Sequence, residues 1–236
     1  MKKWSELSLN GLQLKLLGWF FTLFHLASLL FFPEGGSAVA TVLSFIGYMA
    51  LPIFAFLLVE GFAYTEKRIR YVLLLLGAAV LTEPFYDYFH CGVWFDFEAA
   101  NGQNILFTYV VGIVQLYFIS SMGTRAPLRT VLTVIMVFSC AIWMLILNVP
   151  YGGIVQLLIG IFYLLHEHPR VKNWLAAAVG LVTVSPSLML PMVTPALMIP
   201  VLTRYNDEPG EYNKYIFYIA YPLVWIVAAM LKRFVL

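Results

Sequence analysis

Residues 52–71 read PIFAFLLVEGFAYTEKRIRY. An apolar run reaches one carboxylate, Glu60, and then a burst of positive charge at Lys67, Arg68 and Arg70. A water-soluble surface helix would show a polar face every 3.6 residues. This run is apolar on all sides, so the stretch predicts a membrane helix that ends in a cationic anchor.

The rest of the chain repeats that pattern. Of 236 residues, 62% are hydrophobic and 11% charged, with mean hydropathy +0.87. A soluble domain is nearer a quarter charged, so this chain lacks the polar surface to cover a globule in water. The sequence predicts an all-α, polytopic transmembrane bundle, one integral-membrane domain over residues 1–236, with a lipid bilayer as its surroundings. A net charge of +2 is too small to imply nucleic acid. Cys91 and Cys140 read as free thiols, one in a loop and one in an apolar run.

Candidate spans fall near 12–32, 41–63, 69–86, 104–122, 128–148, 151–166, a proline-rich stretch 174–203, and 213–231. Lys2 and Lys3 followed by an apolar run resemble a leader peptide, but the run is long enough to span and reads as the first helix. Lys2, Lys3, Lys15, Lys67, Arg68, Arg70, Arg125, Arg129, Arg170 and Lys172 fall on one side if each span crosses once. Glu34, Asp87, Asp96 and Glu98 fall on the other. Lysine and arginine mark the cytoplasmic side, so the expected location is the cell membrane with a cytoplasmic amino terminus. At about 1.5 Å per residue, 174–203 is too long for one crossing of a core about 30 Å thick. Pro186, Pro191, Pro195 and Pro200 are expected to break it, giving eight or nine spans in all.

Ionisable groups at membrane depth are costly and face the bundle interior. His25, in the first span, reads either as a hydrogen-bonded core imidazole or as a general base or acyl acceptor, since its pKa lies near neutrality. Glu60 reads as an interfacial carboxylate paired with Lys67 or a loop arginine, or as a substrate-binding group. Glu83 is expected near the edge of the third span, where Pro84 helps to end the helix, and is nearer His25 in depth than Glu60 is. Asn104 and Thr108 share a helix face, with Asn104 also a candidate N-cap. Tyr151 precedes Gly152 and Gly153, which suit close approach of a ligand or helix. His90 reads as a loop residue. His166 and His168 are two apart and do not share a face, and no metal site is read.

Six segments in order carry a family resemblance: LQLKLLGWFFTLFH (12–25), LPIFAFLLVEGFAYTEKRIRY (51–71), LTEPFYDY (81–88), NILFTYVVG (104–112), PYGGI (150–154) and YNDEPGEYNKYIFYIAYPL (205–223). Together they resemble the TraX-like family, membrane proteins related to the acetylase of conjugative pilin, within the multi-span acyltransferases. The resemblance implies acetyl-CoA as donor and an amine or hydroxyl acceptor on a peptide, protein or glycan. It implies His25 and Glu83 as catalytic residues, with Glu60, Asn104, Thr108, Tyr151, Tyr205 and Asn206 lining the substrate cavity. Three positions depart from the family pattern: Phe24, Pro150 and Val224 stand where it carries Asp, Asp and His. Two function classes follow, an acyltransferase and a non-catalytic partner or accessory subunit of a transport or export system.

Overall fold

A computed structural model describes residues 8–96, 102–123, 126–179, 186–213 and 215–234. Lys2, Lys3, Glu98, Arg125, Lys214 and the 180–185 part of the proline-rich stretch lie outside them. The helices are α1 (Gly11–Phe31), α2 (Ala38–Tyr48), α3 (Ala50–Tyr64), α4 (Arg68–Cys91), α5 (Leu106–Ser121), α6 (Ala126–Ile146), α7 (Gly152–Leu164), α8 (Pro169–Ala178), α9 (Pro186–Leu202) and α10 (Tyr215–Phe234). Among the described residues, five segments are long and apolar enough to cross a membrane: α1, α2 with α3, α4, α6 and α10. Shorter apolar helices lie in α5, α7 and α9. The chain is thus an all-helical, polytopic membrane protein whose segments follow the expected spans in order. The count of eight or nine turns on α8, which at about 15 Å is half a core thickness.

Local chemistry sets the helix ends. Asn10 and Gln13 form a reciprocal capping box at α1, with both bonds at 2.9 Å. Ser37 caps α2 by accepting from the Ala40 N–H at 3.0 Å. Gly92, at φ 75°, closes α4 in the left-handed conformation.

Two expectations need correction. Pro84 does not end α4, which runs on to Cys91 and so takes in His90. The reason is tertiary: the extra turn packs Tyr86, Phe89 and His90 on Trp225 of α10, at 4.8, 5.4 and 5.5 Å between ring centres. Lys232 also donates to the Phe89 carbonyl, one of the carbonyls a helix end leaves open. Likewise Pro191, Pro195 and Pro200 lie within α9 and only Pro186 stands at its start. Membrane helices tolerate such prolines where neighbours satisfy the freed backbone groups.

The chain divides into two units, Met1–Leu57 with Leu164–Tyr212, and Leu58–Tyr163 with Asn213–Leu236. In the first, α1 lies on α2: Ser28 Oγ donates to the Ala40 carbonyl at 3.0 Å and lies 2.9 Å from Ser44 Oγ. Gly18 brings α1 against Phe54, whose ring would lie 2.9 Å from any added Cβ. Thr194 of α9 donates to the Tyr48 carbonyl at 3.2 Å.

In the second unit, α4 packs against both α10 and α5. Glycines let α5, α6 and α7 close together: a Cβ on Gly112 would lie 2.6 Å from Ile159, and one on Gly160 the same distance from Val137. Small residues at helix contacts are the usual route to tight packing in lipid. The outer face of α6 carries Val131, Ile135, Phe138, Ile142 and Leu145, all exposed, an apolar stripe at helical spacing that suits acyl chains.

Candidate functional site

His25 belongs to the first unit. It is half-buried on α1, its ring 5.3 Å from that of Tyr48 at a 45° tilt. The α1–α2 crossing is tight here, because a Cβ on Gly47 would lie 2.7 Å from the His25 backbone nitrogen and 2.8 Å from its Cα. Only glycine permits that approach. The imidazole is therefore positioned by two helices whose separation is fixed at its own level.

Tyr205 and Asn206 are in the same unit, in a loop that clamps the start of α1. Leu9 bridges Tyr205, with its N–H donating to the Arg204 carbonyl at 2.7 Å and its carbonyl accepting from Asn206 N–H at 3.0 Å. The Gly11 N–H donates to the Glu208 carbonyl at 2.7 Å. Asn206 Oδ1 accepts from the Glu208 N–H at 3.1 Å and its Nδ2 donates to the Glu208 carboxylate at 2.9 Å. That is a local Asx turn. The Tyr205 ring packs edge-on against Phe56 at 5.3 Å. Both residues have a structural use in the loop.

The remaining expected residues, Glu60, Glu83, Asn104, Thr108 and Tyr151, lie in the second unit. Glu83 and Asn104 are brought together. Glu83 Oε2 accepts from the Asn104 N–H at 3.2 Å and from its side-chain Nδ2. The same Nδ2 donates to the Ala79 carbonyl at 3.0 Å, and Asn104 Oδ1 accepts from the Leu106 N–H at 3.1 Å. Asn104, fully buried, thus bonds the first backbone N–H of α5 and ties that end to α4.

Thr108 lies one turn further along α5, fully buried. Its carbonyl accepts from Gln156 Nε2 at 2.7 Å. Gly152 is the reason α7 can begin there, since a Cβ would lie 2.8 Å from Thr108 Oγ1 and 2.8 Å from Met144 Cβ. The close approach expected of the glycine pair is made by helices, and by Gly152 rather than Gly153. Tyr151, just before it, takes a left-handed φ of 60°, a strained conformation for a bulky residue.

Glu60 is 5% exposed, one turn before the end of α3. Of the cations that follow it in the chain, Arg68 donates to Ser120 at 2.9 Å and sits over Phe62, and Arg70 donates to the Tyr215 hydroxyl at 2.7 Å. A cavity of about 550 Å³ opens at this corner, lined by Lys67, Arg68, Arg70 and Tyr117 among others.

Residues passed over in the sequence complete the picture. Gln115 and Gln156 are buried to 1% and 0% exposure in the second unit. Neutral amides carry no charge signal, but a glutamine within an apolar run was the cue. Asp87, also buried, accepts from the Asp96 N–H at 2.9 Å and fixes the turn after α4. His90 Nδ1 lies 2.9 Å from the Tyr86 carbonyl, a local contact within α4.

A family profile described as "TraX protein" matches residues 11–232. A relative in Dichelobacter nodosus, described as "Probable fimbrial assembly protein FimC, serogroup H1", is 27% identical over 230 residues, covering 88% of this chain and 89% of its own length. No solved structure matches the chain.

Proposed function

Given that the chain belongs to the TraX family, we propose that it is an integral-membrane acyltransferase. It takes an acetyl or related acyl group from acyl-CoA, with acetyl-CoA as donor, and passes it to an amine or hydroxyl acceptor. The name of the fimbrial relative supports a subunit of a surface fibre as that acceptor, among the peptide, protein and glycan classes.

His25 carries the chemistry. The observation behind this reading is its placement: a half-buried imidazole in a membrane helix, held where Gly47 and Ser28 lock α1 on α2. An imidazole can both take and give up a proton, which neighbouring apolar groups cannot. The acceptor's nitrogen or oxygen attacks the thioester carbonyl as the imidazole takes its proton. The C–S bond then breaks, and the leaving thiolate recovers that proton from the imidazolium.

A second reading, a non-catalytic accessory subunit, draws on Phe24, Pro150 and Val224 and on the structural use of Tyr205 and Asn206. Membranes carrying the protein, incubated with labelled acetyl-CoA, separate the two. Acyl transfer should fall at least a hundredfold in His25→Ala while membrane insertion is unchanged. Undiminished transfer in that variant removes the histidine mechanism, and no transfer by the wild type leaves the accessory reading.

A further inference from the structure

The second unit holds a feature that acyl transfer at His25 does not use. Thr108, Gln115 and Gln156 are 0%, 1% and 0% exposed. Thr108 Oγ1, both side-chain polar atoms of Gln115 and Gln156 Oε1 have no hydrogen-bond partner among the described residues. Buried polar groups are nearly always paired, with protein or with ordered water, and in lipid the penalty for leaving one unmet is severe.

These atoms form a line. Thr108, Gly112 and Gln115 share one face of α5, at spacings of four and three residues. Gln156 of α7 lies on that face, bonded to the Thr108 carbonyl at 2.7 Å and 3.8 Å from where a Gly112 Cβ would be. At its start the line meets Asn104 and through it Glu83, which is half-buried. At its far end it reaches the level of Glu60. Leu58 sits against Gly112, 3.1 Å from a Cβ there, and Arg68 joins Phe62 to Ser120. Helices α3 and α5 therefore run in the same direction, and Glu60 lies level with the stretch that carries Gln115. The cavity beside Tyr117 opens just beyond. From Asn104 to Gln115 the distance along the axis is about 16 Å, half of a core about 30 Å thick.

We propose that this seam holds a file of internal waters and relays protons through the second unit between Glu60 and Glu83. Threonine and glutamine do not ionise at this depth, but they present donors and acceptors side by side, which is what a water needs to be held with two to four partners. Carboxylic acids inside spans are the groups that load such relays. The O–H of one protonated glutamic acid gives its proton to the first water. Each water passes one on, and the last protonates the carboxylate at the other end. One proton arrives for each that leaves, and no electrons move. The proposal stands independently of acyl transfer.

The full-length protein reconstituted in vesicles with an internal pH-sensitive dye, under a potassium diffusion potential and without acetyl-CoA, provides the test. Proton entry should exceed that of protein-free vesicles. It should fall at least tenfold in Gln115→Leu, in Gln156→Leu and in Glu60→Gln, and Gln115→Asn should keep at least half. Thr108→Val, the mildest change in shape, carries the same readout if a leucine variant fails to fold. Wild-type entry no faster than the protein-free leak, or apolar variants that conduct like the wild type, would overturn the relay.

Discussion

The two units use buried polarity in opposite ways. In the first, buried Ser28 and Thr194 each bond a backbone carbonyl, while Asn10 and Asn206, nearer the surface, close a helix end and a turn. In the second, Asn104 does the same work, but Thr108, Gln115 and Gln156 keep polar atoms inside the bundle with no described partner. A polar side chain that meets a backbone group is fixed by it and becomes scaffold. One that does not is open to water, a proton or a ligand. By that standard the first unit is a frame around one imidazole, and the second has an interior equipped for exchange.

The contrast can be broken by mutation. The largest effect is expected from Gly47→Leu, which must force α1 and α2 apart at backbone that cannot yield. A loss of about 3 kcal/mol, at the upper end for overpacking, should appear as a lowered unfolding midpoint in detergent. A midpoint unchanged within error would mean that the crossing at His25 is not fixed as described. Asn104→Ala should cost about 2 kcal/mol, since it leaves the Leu106 N–H without its cap and frees the Ala79 carbonyl and Glu83. Ser28→Ala should cost about 1 kcal/mol, a typical value for one hydrogen bond; a larger loss would show that the Ser28–Ser44 contact organises more of the first unit.

The smallest effect sharpens the comparison. Thr108→Val removes a buried hydroxyl with no partner among the described residues and should change stability by only about 0.5 kcal/mol, the low end of the net worth of a hydrogen bond. A loss as large as that of Asn104→Ala would class Thr108 as scaffold and erase the difference between the units. Gly153→Ala serves as a control for the glycine pair. An added Cβ there meets only ordinary contacts, the nearest at 3.5 Å, so it should be tolerated where Gly152→Ala is not.

Much of the fold was legible in the sequence because burial in lipid needs only length and apolarity, which a run of residues displays directly. Helix α1 was expected at 12–32 and lies at Gly11–Phe31; the second span was expected at 41–63 and lies at Ala38–Tyr64. The interruption at Met49 was not read, although Pro52 signals it: three residues on, it has no N–H to give the Tyr48 carbonyl, which Thr194 meets instead. That the break falls beside the Gly47 contact with α1 is a tertiary fact. The end of α4 was misread because Pro84 is a local signal overridden by distant Trp225 and Lys232. In the site, charged residues drew attention and neutral amides did not. Glu83 and Asn104 were each flagged alone; the bond between them joins positions 21 apart across a loop, and spacing along the chain carries no trace of it.

The clamp between Leu9 and the 204–208 loop has a consequence in time. When α1 leaves the ribosome, the residues that hold its amino end through Arg204, Asn206 and Glu208 do not yet exist. At synthesis rates of roughly 5–20 residues per second, the wait is on the order of 10 to 40 seconds. Through that interval α1 has only its own capping box, Asn10 with Gln13, to keep its first turn from fraying. Asn10→Ala should therefore harm newly made protein more than finished protein. Its mark would be a lower yield of inserted chain, with an unfolding midpoint close to normal in the molecules that survive.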